Sequence, residues 1–174
     1  MSEKKHIFLI GFMGSGKTSI GKLLARQLNY NFLDTDRTIE AQENATIQEI
    51  FDTEGEAYFR ELERKLLLNS ISLENPTVFS TGGGMPIYND NISLMLANGW
   101  VVFLDISLGK IYFRLKNDKK RPLLKSNHNL FDFIQFSLKE RLPIYSMADL
   151  KVDAGARKTE ILEEIVIGFG ARLS

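Results

Sequence analysis

The residues that most clearly indicate a chemical role lie near the amino terminus, in the stretch Gly-Phe-Met-Gly-Ser-Gly-Lys-Thr that spans Gly11 to Thr18. Its spacing fits the phosphate-binding pattern G-x-x-x-x-G-K-[ST]. Glycines let the backbone turn so that consecutive N–H groups face an anion, and a helix that follows adds its positive end. Lys17 can then reach the β- and γ-phosphates of a nucleoside triphosphate, and the Thr18 hydroxyl can bind Mg²⁺. The alternative is a plain glycine turn with Lys17 exposed.

Two carboxylates follow the next apolar stretch, Asn31–Asp34, which predicts a short strand. Asp34 ends that strand and Asp36 comes two residues later, and ligands of open α/β sheets gather at the carboxyl ends of strands. We therefore expect both to lie beside the phosphate-binding loop, with Asp34 on the metal side and Asp36 able to accept a hydroxyl proton. In the alternative, Asp36 only caps a helix that begins at Arg37, and both roles are compatible.

A glycine triplet and an arginine supply further candidate groups. The triplet 82–84 follows the apolar stretch Thr77–Ser80. Three successive glycines at the end of a strand indicate close backbone approach to a ligand, and a flexible loop is the alternative. Arg60 precedes Glu63 by three residues in a predicted helix, a spacing that taken alone describes a surface ion pair.

The segment Lys116–Leu124 is strongly basic, contains Pro122 and has weak periodicity. A loop of this kind fits a lid that closes over phosphates, excludes water and brings Arg121 to the transferred group. A solvated basic loop is the alternative. The planar guanidinium groups of the chain are candidates for holding a carboxylate or a phosphate.

These groups need a scaffold that brings them together. Five short apolar strands are predicted, over 7–10, 31–34, 77–80, 100–104 and 150–153. Helices are predicted between and after them, over 19–28, from 37, from 46, and over 56–70, 92–96, 108–115, 130–142 and 159–173. This alternation favours a parallel sheet with right-handed crossovers. We expect a three-layer α/β fold of the P-loop NTPase type, with a five-stranded parallel sheet, helices on both faces and a mobile lid over about 115–128, in one domain over 1–174.

The composition limits the classes of protein that the chain can belong to. The 22 lysines and arginines balance 22 aspartates and glutamates, which argues against general binding to nucleic acid or membrane surfaces. The sequence has no cysteine, so it has no disulfide framework or thiolate site. No leader or membrane span is evident, and we expect a cytoplasmic monomer. His6 and His128 lack metal-ligand spacing, lie in predicted flexible segments and receive no role.

Together these groups predict phosphoryl transfer, a reaction that depends mainly on positioning and on charge stabilisation. The phosphate-binding loop accounts for the donor, the aspartates for Mg²⁺ and the acceptor hydroxyl, and the arginines for an anionic substrate. The residues therefore predict an ATP-dependent kinase of a small, anionic, hydroxyl-bearing molecule, and they do not name the molecule.

Six motifs in order extend this prediction. They are Gly11–Thr18, Phe32-Leu-Asp-Thr-Asp36, Phe59-Arg-Glu-Leu-Glu63, Thr81-Gly-Gly-Gly84, Arg121-Pro-Leu-Leu124 and Glu140-Arg-Leu-Pro-Ile-Tyr145. In these motifs the chain resembles the shikimate kinase family from Ile7 to about Arg157. The resemblance implies ATP-dependent phosphorylation of the 3-hydroxyl of shikimate, which gives shikimate 3-phosphate and ADP in aromatic amino-acid biosynthesis. The rival hypotheses are a P-loop kinase for gluconate, adenylate or a nucleoside monophosphate, and a nucleotide-binding module without catalysis.

The resemblance also implies roles on the donor side. Thr18 would bind Mg²⁺ directly and Asp34 would hold the ion through water. Lys17 would bind the ATP phosphates and take part in catalysis. The full set of expected nucleotide contacts is Gly14, Ser15, Gly16, Lys17, Thr18, Ser19, Arg114, Arg121 and Arg157.

On the acceptor side, the resemblance implies that Asp36 contacts shikimate hydroxyls and orients or deprotonates the 3-hydroxyl. Arg60 and Arg141 would grip the carboxylate, with Glu63 holding Arg60 in place. Arg121, on the lid, would reach both the phosphoryl group and shikimate. The backbone of the glycine triplet would also contact the substrate, at Gly82, Gly83 and Gly84.

Overall fold

A single five-stranded sheet organises the computed structural model, which describes residues 6–116 and 129–173. Every neighbouring pair of its strands is parallel, and the order across the sheet is β2-β3-β1-β4-β5. The strands are β1 (His6–Ile10), β2 (Asn31–Asp34), β3 (Thr77–Ser80), β4 (Gly99–Asp105) and β5 (Leu150–Asp153). The predicted parallel sheet is confirmed. The connection after β1 runs towards the β2 edge of the sheet, whereas the connection after β4 runs towards the β5 edge. In such folds ligands bind where the direction of the connections reverses in this way.

Helices connect the strands, as the apolar periodicity predicts. They are α1 (Lys17–Leu28), α2 (Thr35–Glu43), α3 (Ile47–Thr53), α4 (Gly55–Ser70), α5 (Asn91–Asn98), α6 (Leu108–Leu115), α7 (Leu130–Tyr145) and α8 (Lys158–Leu173), with a short 3₁₀ helix at Met85–Ile87. Thr46 and Glu49 form the predicted capping box at the start of α3. No helix within the described ranges has the length and apolar character that crossing a membrane requires.

The core lies on both faces of the sheet because successive strand residues point to opposite sides. Ile7 and Leu9 of β1 pack into a cluster with residues of α1, α6, α7 and α8. Phe8 and Ile10 pack into a second cluster with residues of α4 and α5. β1 is buried along its whole length, so the loop that follows it starts from a rigid position.

A third, smaller cluster fixes α2 and α3 to α4. Ile39 of α2, Ile50 of α3, and Phe59 and Leu66 of α4 form this cluster. Leu67, the next residue of α4, belongs to the second cluster of the sheet. α4 therefore links the sheet to α2 and α3, and the polar residues of α4 lie between the sheet and these two helices.

Two predictions about local structure are wrong. His6 is not in a flexible segment, because it is the first residue of β1, is 1% exposed and pairs with Gly99. α7 does not end before Pro143 but continues to Tyr145, since a proline close to a helix end removes only one late hydrogen bond. His128 and the whole of the expected lid apart from its first two residues, 115 and 116, lie outside the described residues.

We predict that Phe79→Ala lowers the free energy of unfolding by about 3–5 kcal/mol, because the Phe79 ring is 1% exposed and stacks on Phe8 with ring centroids 4.8 Å apart. Urea denaturation measures the change. Phe136→Ala is the matched control, since that ring is 66% exposed and its removal should shift the value by less than about 0.5 kcal/mol. Equal effects of the two substitutions would contradict the assignment of Phe79 to the core.

Candidate active site

The loop between β1 and α1 has the geometry of an anion-binding cradle. Gly14 and Gly16 have φ angles of +79° and +99°, a left-handed backbone that glycine adopts at low energetic cost. Gly16 is the N-cap of α1, so no side chain occupies the N–H groups of the first turn, and no acidic residue lies in that turn. Half-buried Ser19 lies there as well. This end of a helix attracts phosphate.

Lys17 crosses this loop from inside. Its side chain is mostly buried, and Nζ donates to the carbonyl oxygens of Gly11 at 2.8 Å and Phe12 at 2.9 Å. The Ser15 Oγ is buried and has no hydrogen-bond partner among the described residues. A cation and an unsatisfied hydroxyl within a curled backbone fit the phosphate oxygens of a nucleotide.

Three oxygen groups meet beside the cradle, from three different elements. The Thr18 hydroxyl of α1 donates to Oδ2 of Asp34 at 2.7 Å, and the Ser80 hydroxyl of β3 lies 3.2 Å from the Thr18 hydroxyl. Mg²⁺ prefers such oxygen ligands and is usually held by one or two carboxylates together with water and substrate phosphates. Within the described ranges, no cluster of three or more histidines and carboxylates could hold a metal alone. The donor set therefore fits Mg²⁺ bound together with a nucleotide.

Asp34 and Thr35, at the start of α2, make different contacts. Asp34 is the N-cap of α2, since its Oδ1 accepts from the Arg37 N–H at 3.3 Å. The idea that Asp36 is the cap is thus wrong, because α2 begins one residue before it. The Thr35 hydroxyl accepts from the Gly82 N–H at 2.9 Å, which ties α2 to the glycine triplet.

The glycine triplet has no side chains because other side chains pack directly on its backbone. A Cβ at Gly82 would overlap the carboxylate of Glu63 and lie 2.7 Å from Oδ1 of Asp36. A Cβ at Gly84 would overlap the guanidinium group of Arg60. The triplet then runs into the 3₁₀ helix through backbone hydrogen bonds, so the flexible-loop alternative is wrong. The close approach predicted from the sequence is made, in part, by the protein's own charged groups.

Gly83 connects the triplet with both the phosphate-binding loop and α7. A Cβ there would lie 3.4 Å from the Gly11 carbonyl oxygen and 3.5 Å from both the Met13 nitrogen and Nη1 of Arg141. Its own carbonyl oxygen accepts a 2.6 Å hydrogen bond from the Tyr145 hydroxyl. The donor and acceptor sides of the predicted site therefore adjoin at Gly83.

Arg60 is held in place from two sides. Its Nη1 lies 2.5 Å from Oε2 of Glu63, and its Nη2 lies 2.8 Å from Oε1 of Glu56. Glu63 is fully buried and the Arg60 side chain is 16% exposed, so the surface ion pair is wrong. Burial alone would lower the pKa of Arg60, but the carboxylates of Glu63 and Glu56 outweigh burial and raise it. The guanidinium is a fixed cation.

Burial raises the pKa of Glu63 from 4.5 to about 7, even though Arg60 lowers it. That value already includes the charge of Asp36, which raises the pKa, and the charge of Arg141, which lowers it. Oε2 is taken by Arg60, while the buried Oε1 has no hydrogen-bond partner in the described part of the chain. Glu63 thus titrates near neutral pH, within contact distance of the glycine triplet.

Arg141 approaches the same point from α7. Its guanidinium carbon lies 5.3 Å from the centroid of the Phe12 ring, which is cation–π geometry. Its positive charge is near enough to the Tyr145 hydroxyl to lower the pKa of that phenol. Tyr145 is fully buried and packs on Phe103 with ring centroids 5.1 Å apart. Burial raises the pKa of Tyr145, so the phenol stays neutral and can donate to the Gly83 carbonyl.

The remaining expected nucleotide residues differ in their placement. Nη1 of Arg114 donates to the Gly14 carbonyl at 2.7 Å, which brings this arginine to the phosphate-binding loop. Arg157 is 81% exposed and pairs with Glu160 at 2.5 Å. Arg121 lies outside the described residues.

Sequence reasoning did not single out Ser80, Thr35 or Tyr145. Ser80 and Thr35 end and follow strands whose positions were predicted, so their place at the carboxyl edge was an available signal. Tyr145 stands in a quoted motif but lies beyond the predicted end of the helix at Leu142, so it received no role. Its spacing of four from Arg141 places both on one helical face.

We predict that Gly82→Ala lowers the free energy of unfolding by about 1–3 kcal/mol, because the new methyl group must displace buried Glu63 and Asp36. Chemical denaturation measures this change. Gly170→Ala, in the open face of α8, is the matched control and should stabilise the protein by about 0.5–1 kcal/mol. A neutral or stabilising effect of Gly82→Ala would contradict the close packing of Glu63 and Asp36 on Gly82.

Comparison with known proteins identifies the family of this arrangement. A shikimate kinase from Sulfurihydrogenibium sp. is 45% identical over 93% of this chain and 96% of its own. A shikimate kinase from Acinetobacter baumannii, solved in complex with shikimate, superposes with a TM-score of 0.90 at 33% identity, covering 97% of this chain and 94% of that one. The enzyme from Bacteroides thetaiotaomicron superposes with a TM-score of 0.85 at 38% identity, covering 92% and 95%. The family model described as shikimate kinase matches residues 13–168, and the chain belongs to the shikimate kinase family.

Proposed function

We propose that this protein transfers the γ-phosphoryl group of ATP to the 3-hydroxyl of shikimate and releases shikimate 3-phosphate and ADP. The observation that carries the proposal is the position of Gly83, which adjoins the phosphate-binding loop on one side and Arg141 on the other. A phosphate cradle and a set of anion-binding side chains thus share one border. The family to which the chain belongs supports the identity of the substrate.

On the donor side, the N-terminal end of α1 and Lys17 bind the phosphates of ATP. Thr18 would bind Mg²⁺ directly and Asp34 would hold it through water, beside the Ser80 hydroxyl. Mg²⁺ bound there would neutralise charge on the phosphates. Arg114 stabilises the loop through the Gly14 carbonyl and lies on the nucleotide side.

On the acceptor side, Arg60 and Arg141 bind the carboxylate of shikimate. Two carboxylates fix Arg60, and the Phe12 ring packs against Arg141, so little side-chain entropy is lost when the substrate binds. Asp36 lies next to Gly82 in the first turn of α2, where it contacts the substrate hydroxyls. It orients the attacking 3-hydroxyl or accepts its proton.

The proposal extends to features beyond the described site. Arg121 acts from a lid over about 115–128 and reaches the transferred phosphoryl group and shikimate, and Arg157 acts on the nucleotide. The chain forms one catalytic domain over 1–174 and works as a cytoplasmic monomer. The absence of cysteine fits a reducing compartment.

The test of the proposed function is an ADP-release assay with Mg²⁺ and ATP across shikimate, quinate, gluconate and AMP. We expect ADP release that depends on shikimate, with much lower values of kcat/KM for the other acceptors. Lys17→Ala, purified in parallel, should lose the activity and so excludes a contaminating kinase. Folded wild-type protein without shikimate-dependent ADP release would overturn the proposal, and turnover of gluconate or AMP alone would favour the corresponding rival.

We predict that Asp36→Asn lowers kcat by at least about 100-fold while the Kd of ATP changes little, because an amide keeps the shape of the carboxylate and loses its basicity. Steady-state kinetics and nucleotide titration measure the two quantities. Asp52→Asn is the matched control, since Asp52 is exposed on α3 and bonds Gln48 there. Near-normal turnover of Asp36→Asn would show that Asp36 does not accept the proton of the hydroxyl.

A further inference from the structure

The Oε1 atom of Glu63 has no role in the mechanism above. It is buried, it has no hydrogen-bond partner among residues 6–116 and 129–173, and it lies against the Cα of Gly82. Oδ1 of Asp36 lies close by, 2.7 Å from the position that a Cβ on Gly82 would take, which Glu63 also approaches. A buried carboxylate oxygen next to a second carboxylate is an unfavourable arrangement that a proton relieves.

The charges around Glu63 come from three helices. Its own helix, α4, contributes Arg60, which also bonds Glu56. α2 contributes Asp36, and α7 contributes Arg141 and the neutral Tyr145. The glycine triplet adds only backbone. Two guanidinium groups thus face Glu63 and Asp36, and this balance is lost when a further anion arrives.

We propose that Glu63 takes up a proton when the carboxylate of the substrate binds to Arg60 and Arg141. The inference rests on the proposed function, because it needs an anionic substrate between the two arginines. The proton comes from the buffer and forms an O–H bond on the Glu63 carboxyl group, and no other bond changes. Glu63 is therefore a positioning residue that keeps the net charge of the filled site close to its value in the free site.

The physical reason is competition for positive charge. A bound carboxylate accepts N–H groups of Arg60 and Arg141 and weakens the attraction of both arginines for Glu63. The pKa of Glu63 is already raised to about 7, so a further rise leads to protonation in the neutral range. Below about pH 5.5 the free protein carries this proton already, and binding can take up little more.

The experiment is isothermal titration calorimetry of shikimate into the nucleotide-free full-length protein, in buffers of different ionisation enthalpy at pH 5.5, 7 and 8. The slope of the binding enthalpy against the ionisation enthalpy gives the number of protons taken up. At pH 7 we expect on the order of half a proton per shikimate, and close to none at pH 5.5. Glu63→Gln, a permanently neutral carboxyl analogue, should bind shikimate with no uptake at any of these pH values.

Glu61→Gln is the matched control, because it neutralises an exposed carboxylate of the same helix, one that bonds Tyr88, and should keep the wild-type uptake. Binding without proton uptake by the wild type at pH 7 and 8 would overturn the inference and leave the proposed function intact. Uptake that persists in folded Glu63→Gln would also overturn it. If Glu63→Gln does not fold, the wild-type pH series and Glu63→Asp, which keeps a titratable group at this position, decide. Failure of the wild type to bind shikimate would overturn the proposed function and the inference together.

Discussion

The ion pair between Arg60 and Glu63 is the interaction on which the rest of the site depends. It is buried, so its charges gain little from water, and each needs the other. The pair also sets the shape of its surroundings, because the Arg60 guanidinium lies on Gly84 and the Glu63 carboxylate lies on Gly82. The ion pair of α4 therefore explains why two of the three positions in the triplet have no side chain. Such a pair contributes geometry more than stability, since apolar residues of equal size would often be as stable.

The scaffold of this site could be predicted from the sequence to a large extent. The strand β3 (Thr77–Ser80) and the helix α6 (Leu108–Leu115) have the predicted bounds, because the apolar pattern begins and ends where these elements do. α7 was predicted to end at Leu142, whereas it continues to Tyr145, whose packing on Phe103 holds the last turn. His6 was misplaced because a polar residue next to a polar terminus gives no signal of burial.

The site itself could be predicted only in part. The phosphate-binding loop is a local sequence pattern, so Gly14, Gly16 and Lys17 could be named from sequence alone. The burial of Glu63 could not, because its spacing from Arg60 is equally typical of an exposed pair and only the tertiary packing of α2, α4 and α7 separates the two cases. The contact of Arg114 with Gly14 joins residues far apart in sequence, so only the family resemblance, and no local spacing, indicated a place on the nucleotide side for Arg114.

The run Asp34-Thr35-Asp36 distributes adjacent residues among the metal side, the glycine triplet and the acceptor side. Since α2 begins within this run, inserting or deleting one residue would turn every later side chain by about 100° around the helix axis. Asp36 would then point away from Gly82 while Asp34 stayed in place. The relative placement of donor and acceptor groups thus depends on the number of residues in this run, and a change of its length would separate the two groups.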